Sequence, residues 1–203
     1  MADQPENSFA AYHALLDIYG RETSEKTRRE IENDIWTRFG RECAVFVLDM
    51  SGFSRLTESH GAVHYLSMVR RMNLTLTDIV RRNDGTLIKF EADNCFAIFP
   101  TIRDAVQCAI SANMHFEGTN KLTSDAFDID ICIGISFGEI LLIEERDFFG
   151  DAVNRAARLG EDIAGPGEIL VDAELADQLV RFRHEPVVRE TGKGRVDAIR
   201  ISY

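Results

Sequence analysis

Two aspartates lie at positions where an ionised carboxylate is costly unless another group compensates its charge. Asp49 ends the apolar run CAVFVLDM, and Asp93 lies between the two apolar runs of TLIKFEADNCFAIFP. A carboxylate at the end of a buried strand needs a partner or a bound cation. On neighbouring strands of one sheet, two such acids can share Mg²⁺ or Mn²⁺, which prefer oxygen ligands. The alternative is that each aspartate stabilises a turn, and spacing alone leaves both interpretations open.

Four further polar residues have side chains that suit nucleotide chemistry. Asn154 and Arg158 are four residues apart in a predicted helix, so they share a face. That helix begins at Gly150-Asp151, where backbone N–H groups can meet phosphate. Lys89 lies in a predicted strand, and Asp147 follows a turn. Each also has a simpler explanation. Asn154 and Arg158 could be polar residues on the exposed face of a helix, Lys89 could face solvent, and Asp147 could be an acid at a strand edge.

The elements that would position these residues follow from the spacing of apolar side chains. Helical periodicity predicts helices over residues 7–20, 24–39, 53–82 and 101–117. Ser24 is a predicted N-cap, and His60-Gly61 is predicted to break the third helix. Strand patterns cover residues 43–50, both sides of a turn at 91–94, and 127–143, with Asp128 and Asp130 inside that long strand.

The remaining segments complete a mixed fold. A short strand at 147–149 leads into the helix that begins at Gly150-Asp151, and EILVD predicts another strand. DAELADQLV predicts a helix, and one or two strands follow in the tail. Hairpins and crossovers alternate in this order, which predicts an α+β sheet with helices on one face and excludes a doubly wound parallel sheet.

Composition limits the class of protein. The chain has 203 residues, of which 45% are hydrophobic, and this suits one globular domain. A net charge of −11 argues against a nucleic-acid-binding protein. The chain lacks a secretory signal and an apolar run of roughly 18–20 residues, so we expect no membrane association. The four cysteines form no CxxC pair and are expected to be buried thiols, which suits a cytoplasmic location.

Three segments together resemble the catalytic domain of class III nucleotidyl cyclases. They are FVLDMSGFSRL, GTLIKFEADNCFAIFP and DFFGDAVNRAARL, within a resemblance that spans about residues 43–175. In that family an aspartate ends the first strand before a GF[ST] turn, and Asp49 matches it. A second aspartate lies in a K-x-x-G-D hairpin and is matched by Asp93, 93 − 49 = 44 residues later. The third segment matches D-x-x-G-[ND]-x-V-N-x-A-x-R. The resemblance implies a ferredoxin-like, palm-type fold: an antiparallel-rich sheet with helices packed on it.

The resemblance also implies which residues take part in a displacement at phosphorus that uses two metal ions. Asp49 and Asp93 would hold two Mg²⁺ or Mn²⁺ ions, with the carbonyl oxygen of Met50 as a further ligand. Arg158 would stabilise charge at the α-phosphate, and Asn154 would position the ribose. In the family these groups come from two subunits, and since this chain has both sets we expect a homodimer with active sites at the interface.

Substrate choice follows from the same resemblance. Lys89 and Asp147 match the positions that read the base, and a lysine donor beside an aspartate acceptor complements adenine. Lys193, in TGKGR, is the candidate for binding the triphosphate. Ala92 stands where the family's hairpin has glycine, a small change unless the backbone there needs a positive φ.

We therefore expect a metal-dependent adenylate cyclase that converts ATP into 3′,5′-cyclic AMP and pyrophosphate. One alternative is a cyclase specific for GTP or a pyrimidine triphosphate, CTP or UTP. Another is a cyclase-like module that binds nucleotide without turnover. Residues 41–203 would form the catalytic domain. Residues 1–40 would form a helical segment that packs against it or shapes the dimer.

Overall fold

The computed structural model describes residues 6–192 and 194–203, and for residues 53–56 the backbone alone. The helices are α1 Phe9–Arg21, α2 Glu25–Phe39, α3 Phe53–His60, α4 Ala62–Arg82, α5 Ile102–Asn120 and α6 Asp151–Ala157. The strands are β1 Gly40–Met50, β2 Thr86–Glu91, β3 Asn94–Phe99, β4 Ile131–Ile143, β5 Asp147–Phe149, β6 Ile169–Asp172, β7 Arg183–Thr191 and β8 Gly194–Ser202. A π-helical turn, Arg158–Ile163, continues α6.

The strands form one sheet in the order β2-β3-β1-β4-β6-β8-β7, and β5 pairs with β4 beside this path. β4 and β6 run parallel, whereas the other described pairs are antiparallel. The predicted α+β, antiparallel-rich fold is confirmed. β1 lies between β3 and β4 and is buried over most of its length, so its end offers a rigid position for a functional side chain.

The prediction of helices on one face of the sheet is wrong. Alternate β1 side chains such as Phe46 and Leu48 join a core with α4 and α5. The side chains between them, Val45 and Val47, join a second core with α6. The second layer is possible because small residues let α6 approach closely. A Cβ added at Gly134 would overlap the carbonyl oxygen of Ala156.

Local signals in the sequence located the helix boundaries well. The Ser24 hydroxyl accepts from the backbone N–H of Thr27 at 3.4 Å, as predicted for an N-cap. Gly61, with φ of 82°, separates α3 from α4 at the predicted break. Asp93 lies in the turn between β2 and β3, as the hairpin pattern predicted.

Two predicted elements differ in the structure. Asp128 and Asp130 precede β4 and are outside the strand. The Asn120 side chain bonds both backbone groups of Ile129 at 3.0 Å, and such local bonds compete with strand pairing. The segment predicted as a helix at 172–180 is a short 3₁₀ turn, Ala173–Gln178.

The cysteines and the helices bear on the class of protein. All four cysteines are buried free thiols, as expected. Over the described ranges, none of the helices combines the length and the apolar character needed to cross a bilayer.

Candidate active site

Asp49 and Asp93 lie beside each other where β1 ends and the β2–β3 hairpin turns. β1 pairs with β3 as far as Leu48 opposite Cys95, so Asp49 lies just beyond the last position that pairs with β3, while its other edge still pairs with β4. Asp93 is in the turn, two residues before Cys95. Asp49 follows Val47 at strand spacing, so it faces the side of the sheet that α6 covers. The fold thus brings these two acids together on the α6 side.

The two carboxylates repel each other. Burial first, and then the charges of Asp93 and Glu161, raise the pKa of Asp49 to about 7, against a hydrogen bond from the Met50 backbone N–H that lowers it. Protons or cations relieve such a like-charge arrangement. At Asp49 the like charges of the neighbouring acids outweigh the hydrogen bond from Met50, so this arrangement favours cation binding over the turn interpretation.

Glu161 is a third acid at this place, and the sequence analysis did not identify it. It lies in the π-helical turn, and its Oε1 accepts from Asn94 Nδ2 at 3.2 Å, one residue from Asp93. Burial, Asp162, Glu91 and Asp93 together raise the pKa of Glu161. The extra residue of a π turn changes where the following side chains point, and the motif pattern contains no signal for it.

Close backbone packing fixes this π-helical turn on the sheet. A Cβ added at Gly160 would lie 2.8 Å from the carbonyl oxygen of Val47, two residues before Asp49. Only glycine allows this approach. The turn that carries Glu161 is therefore held directly over the end of β1.

Tyr65 reaches the acids from the opposite side. It is a buried residue of α4. Burial raises the pKa of its phenol, and interactions with Asp93 and then with the charge of Asp49 raise it further. The sequence pattern gives Tyr65 no role beyond its place in the predicted helix over residues 53–82.

Lys89 and Asp147 are in contact. Lys89 Nζ lies 3.0 Å from Asp147 Oδ1 and 3.2 Å from Glu91 Oε2. The Asp147 carboxylate also accepts from the backbone N–H of Phe148 at 3.0 Å. The Lys89 ammonium lies 5.4 Å from the centre of the Phe96 ring. The two residues that the resemblance assigns to the base thus form one ion pair above an aromatic surface.

A β-bulge sets the direction of Lys89. The register between β2 and β3 shifts between Leu87 and Lys89, so that Lys89 lies opposite Phe96. Ile88 is the extra residue of β2. Bulges redirect side chains next to active sites. Strict alternation along β2 would have turned Lys89 to the other face.

Asn154 and Arg158 lie on the outer side of α6. Together with Glu161 they line an open surface pocket of ≈ 420 Å³. Arg158 also lines a neighbouring pocket of ≈ 370 Å³ that includes Arg195. Within the described part of the chain, Arg158 makes no ion pair, which leaves its guanidinium available to an anion.

Arg155, between them, has a different environment. Its Nε lies 2.6 Å from Asp172 Oδ2 and 3.1 Å from Ser136 Oγ, and one terminal nitrogen donates to the Phe137 carbonyl at 3.1 Å. Ser136 is fully buried. Arg155 therefore holds α6 on β4 and β6, whereas Arg158 is free to act on a ligand.

Two other predicted residues remain. Met50 is buried at the end of β1, next to Asp49. Lys193 lies outside the described residues. Among the residues that are described, no three His, Cys, Asp or Glu side chains are arranged to hold a metal ion by themselves. Two carboxylates nevertheless fit Mg²⁺, which is commonly bound by one or two carboxylates together with substrate phosphates and water.

Comparison with known proteins identifies the fold and the family. Residues 37–199 match the adenylate and guanylate cyclase catalytic domain. The chain belongs to this family. The match includes β1 to β7, most of β8 and all the site residues described above, and it leaves out α1 and most of α2.

Two bacterial proteins are among the relatives of this cyclase domain. It is 29% identical over 167 residues to an uncharacterised protein of Mycobacterium tuberculosis H37Rv, covering 82% of this chain and 42% of that protein. It is 27% identical over 173 residues to an adenylate cyclase of Streptomyces coelicolor, covering 85% and 43%. The chain thus spans less than half the length of these relatives.

A solved structure is similar in fold. The adenylyl cyclase CyaB from P. aeruginosa superimposes on this cyclase domain with a TM-score of 0.67 at 21% identity, covering 81% of this chain and 95% of that one. Class III cyclases act on nucleoside triphosphates and generally use divalent metal ions. The acid pair at the end of β1 fits that requirement.

Proposed function

We propose that this cyclase domain converts ATP into 3′,5′-cyclic AMP and pyrophosphate as a homodimer that depends on Mg²⁺ or Mn²⁺. The observation that carries the proposal is the juxtaposition of Asp49 and Asp93, two like-charged acids at the end of a buried strand and in the adjacent hairpin turn. Because the family acts on nucleoside triphosphates, an acid pair of this kind suits cations that accompany a polyphosphate.

Asp49, Asp93 and the Met50 carbonyl would hold the ions in each site. When bound, the ions lower the pKa of the ribose 3′-hydroxyl and neutralise charge on the triphosphate. A bond then forms between the 3′-oxygen and the α-phosphorus, and the bond from that phosphorus to the bridging oxygen of the β-phosphate breaks. The hydroxyl proton is released, and pyrophosphate leaves.

Asn154 and Arg158 would act on the same reaction through position and charge. Arg158 has no ion-pair partner within the described ranges, so its guanidinium can stabilise the charge that develops on the α-phosphate oxygens. Asn154 can hold the ribose so that its 3′-oxygen points at phosphorus. Lys193 is proposed as a ligand for the triphosphate.

Lys89 and Asp147 would select the base. Adenine presents an acceptor at N1 beside a donor amino group, which the ammonium and the carboxylate complement. Guanine presents the opposite pattern at these atoms, so the pair favours ATP. The 3.0 Å contact between the two side chains keeps donor and acceptor next to each other before the base arrives.

We further propose that each site takes its metal ligands from one protomer and its base-reading and charge-stabilising residues from the other. A two-fold dimer of identical chains then contains two complete sites. One chain contains both sets, namely Asp49 and Asp93 for the metal ions and Lys89, Asp147, Asn154 and Arg158 for the base, ribose and phosphate, which supports a symmetric pair.

The direct test is incubation of the purified chain with Mn²⁺ and each of ATP, GTP, CTP and UTP, with products identified by mass. We expect cyclic AMP and pyrophosphate from ATP and at least about tenfold slower turnover of the other three, as one reversed hydrogen-bond pair implies. Cyclic product from a different nucleotide alone would overturn the base assignment. Nucleotide binding without any cyclic product would support a binding module instead.

A further inference from the structure

The segment before the family's domain is bonded to the turn that precedes β5. Asn7 Nδ2 donates to the Leu142 carbonyl at 3.1 Å, and Asn7 Oδ1 accepts from the Glu144 backbone N–H at 2.9 Å. The Phe9 backbone N–H donates to Glu144 Oε1 at 3.1 Å. These three bonds join residues more than 130 positions apart in the chain. The start of α1 therefore acts as a strap across the β4–β5 turn.

The turn needs such support because its backbone is strained. Glu144 and Glu145 have φ of 51° and 53°, in the left-handed region. This conformation costs a residue other than glycine about 1 kcal/mol or more, and it persists where surrounding contacts fix it. Asn7 bonds the first of these residues directly.

An aromatic contact continues the strap onto β5 itself. The rings of Tyr12 and Phe149 stack with centroids 6.1 Å apart and planes at 10°. Tyr12 also packs edge-on against Phe39 of α2 at 5.3 Å. Tyr12 is only 8% exposed, and it shares a cluster with the fully buried Ile143 at the end of β4. α1 and α2 together thus cover the hairpin of β4 and β5.

β5 is short, and on the opposite face of the sheet its middle residue, Phe148, is buried in the core that α6 covers. It has three residues, Asp147–Phe149, and pairs with β4 through Ile143 opposite Asp147 and Leu141 opposite Phe149. The charge of Asp147 adds to burial in raising the pKa of Tyr12, so the phenol lies within electrostatic reach of that carboxylate. The strap thus reaches Phe149, two residues along β5 from Asp147.

We propose that the α1–α2 segment is a working part of the nucleotide site, in which Asn7 and Tyr12 are positioning residues that hold Asp147 against Lys89. The inference rests on the proposed function, since it takes Asp147 as a base-reading residue. It goes further in making base recognition depend on residues outside the matched family domain.

The first test measures position without turnover. Hydrogen exchange of peptides that cover residues 142–149 is compared in full-length wild type, Asn7→Ala and Tyr12→Leu. We expect about tenfold faster exchange of this turn in both variants, with peptides of β1 unchanged. Unchanged exchange at 142–149 would overturn the proposal whatever the chain catalyses.

The second test measures the link to the base. Tyr12→Leu is made in wild type and in Asp147→Ala, and kcat/KM is measured for ATP and GTP. We expect Tyr12→Leu to lower kcat/KM for ATP about tenfold in wild type but less than about twofold in Asp147→Ala, because coupled neighbours are not additive. Equal losses in both backgrounds would mean that Tyr12 acts on stability alone, and would overturn the proposal.

Controls separate the possible failures. Tyr12→Phe keeps the ring and should retain the wild-type exchange pattern, and Leu16→Ala removes an exposed apolar side chain from the same helix. If Tyr12→Leu does not fold, the same double-mutant comparison is made with Asn7→Ala, in wild type and in Asp147→Ala. A wild type that cyclises no nucleotide contradicts the proposed function, whereas an active wild type with additive variants contradicts only the positioning role.

Discussion

Two charged pairs lie on the same sheet and differ in how their charge is balanced. The acid pair, Asp49 and Asp93, consists of like charges, and burial with this repulsion raises the pKa of Asp49 to about 7. The ion pair, Lys89 and Asp147, is neutral overall and closed at 3.0 Å. In the proposed function, cations complete the acid pair. The ion pair is already complete in the protein, and we propose that it exchanges part of its contact for contact with a base.

This difference predicts opposite responses to substitution. Removing one member of the acid pair relieves repulsion, so it removes function while it stabilises the protein. Removing Asp147 takes from the partly buried Lys89 its closer partner and leaves it only the exposed Glu91, so we expect it to lower both selectivity and stability. Sites that bind cations commonly trade stability for function in this way.

The largest effect is expected for Asp93→Asn. Loss of a metal ligand should lower kcat for cyclisation at least about 100-fold. At pH 8 without metal, the free energy of unfolding should rise, because Asp49 loses a like-charged neighbour. Urea titration and product assay measure both quantities. Asp177→Asn, which removes an exposed acid, is the control. Activity within a few-fold of wild type in Asp93→Asn would contradict the role of the acid pair.

A smaller effect is expected at the ion pair. Asp147→Ala should lower the preference for ATP over GTP about tenfold, because the adenine amino group loses its acceptor. Glu91→Gln is the matched control, since Glu91 is an exposed acid that contacts the same Lys89 at 3.2 Å. The readout is the ratio of kcat/KM for the two nucleotides. An equal change of this ratio in the two variants would mean that either acid beside Lys89 supports the preference for ATP, which would contradict the role of Asp147 in reading the base.

The acid pair should also impose a pH dependence on stability. The pKa of Asp49 is about 7 in the folded chain against an ordinary 3.8. Between these values the folded state holds a proton that the unfolded state has released, so this residue's contribution falls as pH rises from about 4 to 7.

Wild type should therefore lose on the order of 1–2 kcal/mol relative to Asp49→Asn between pH 5 and pH 8 without metal. Saturating Mn²⁺ should remove this loss, because a metal binds the deprotonated carboxylate. Unfolding in urea with EDTA or Mn²⁺ measures it. Parallel pH curves for the two proteins would mean that Asp49 has an ordinary carboxyl environment.

The smallest effect concerns the turn that carries the acid pair. Ala92 has φ of 52°, so the position does need the left-handed conformation that glycine adopts freely. Ala92→Gly should raise the free energy of unfolding by about 0.5–1 kcal/mol after allowing for the flexibility of glycine in the unfolded chain. Cyclase activity should change little. A destabilised Ala92→Gly protein would show that the turn is not strained at this residue.

Much of the fold could be predicted because its signals are local. Apolar alternation, the hairpin turn at 91–94 and the glycine break at Gly61 each act within a few residues, and the spacing of Asp49 and Asp93 matches a known family. Asp128 and Asp130 were assigned wrongly, because the Asn120 side chain replaces strand pairing there.

The rest depends on contacts between distant segments. The second helical layer requires Gly134 and Gly160 to meet, and no pattern in either segment indicates it. The β-bulge that directs Lys89 and the π-helical turn that brings Glu161 to the acids each insert one residue into a regular element. Such an insertion is invisible to periodicity and is decided by packing.

The central claim is that each active site takes the acid pair from one protomer and Arg158 from its partner. Asp93→Asn and Arg158→Ala chains should each be inactive alone. Co-expressed with different tags, they should regain about one quarter of wild-type activity, since half of random dimers are mixed and each mixed dimer has one intact site. Doubly tagged dimers purified from this mixture should have about half of wild-type activity, since each has one of its two sites intact. A mixture no more active than either variant would contradict it.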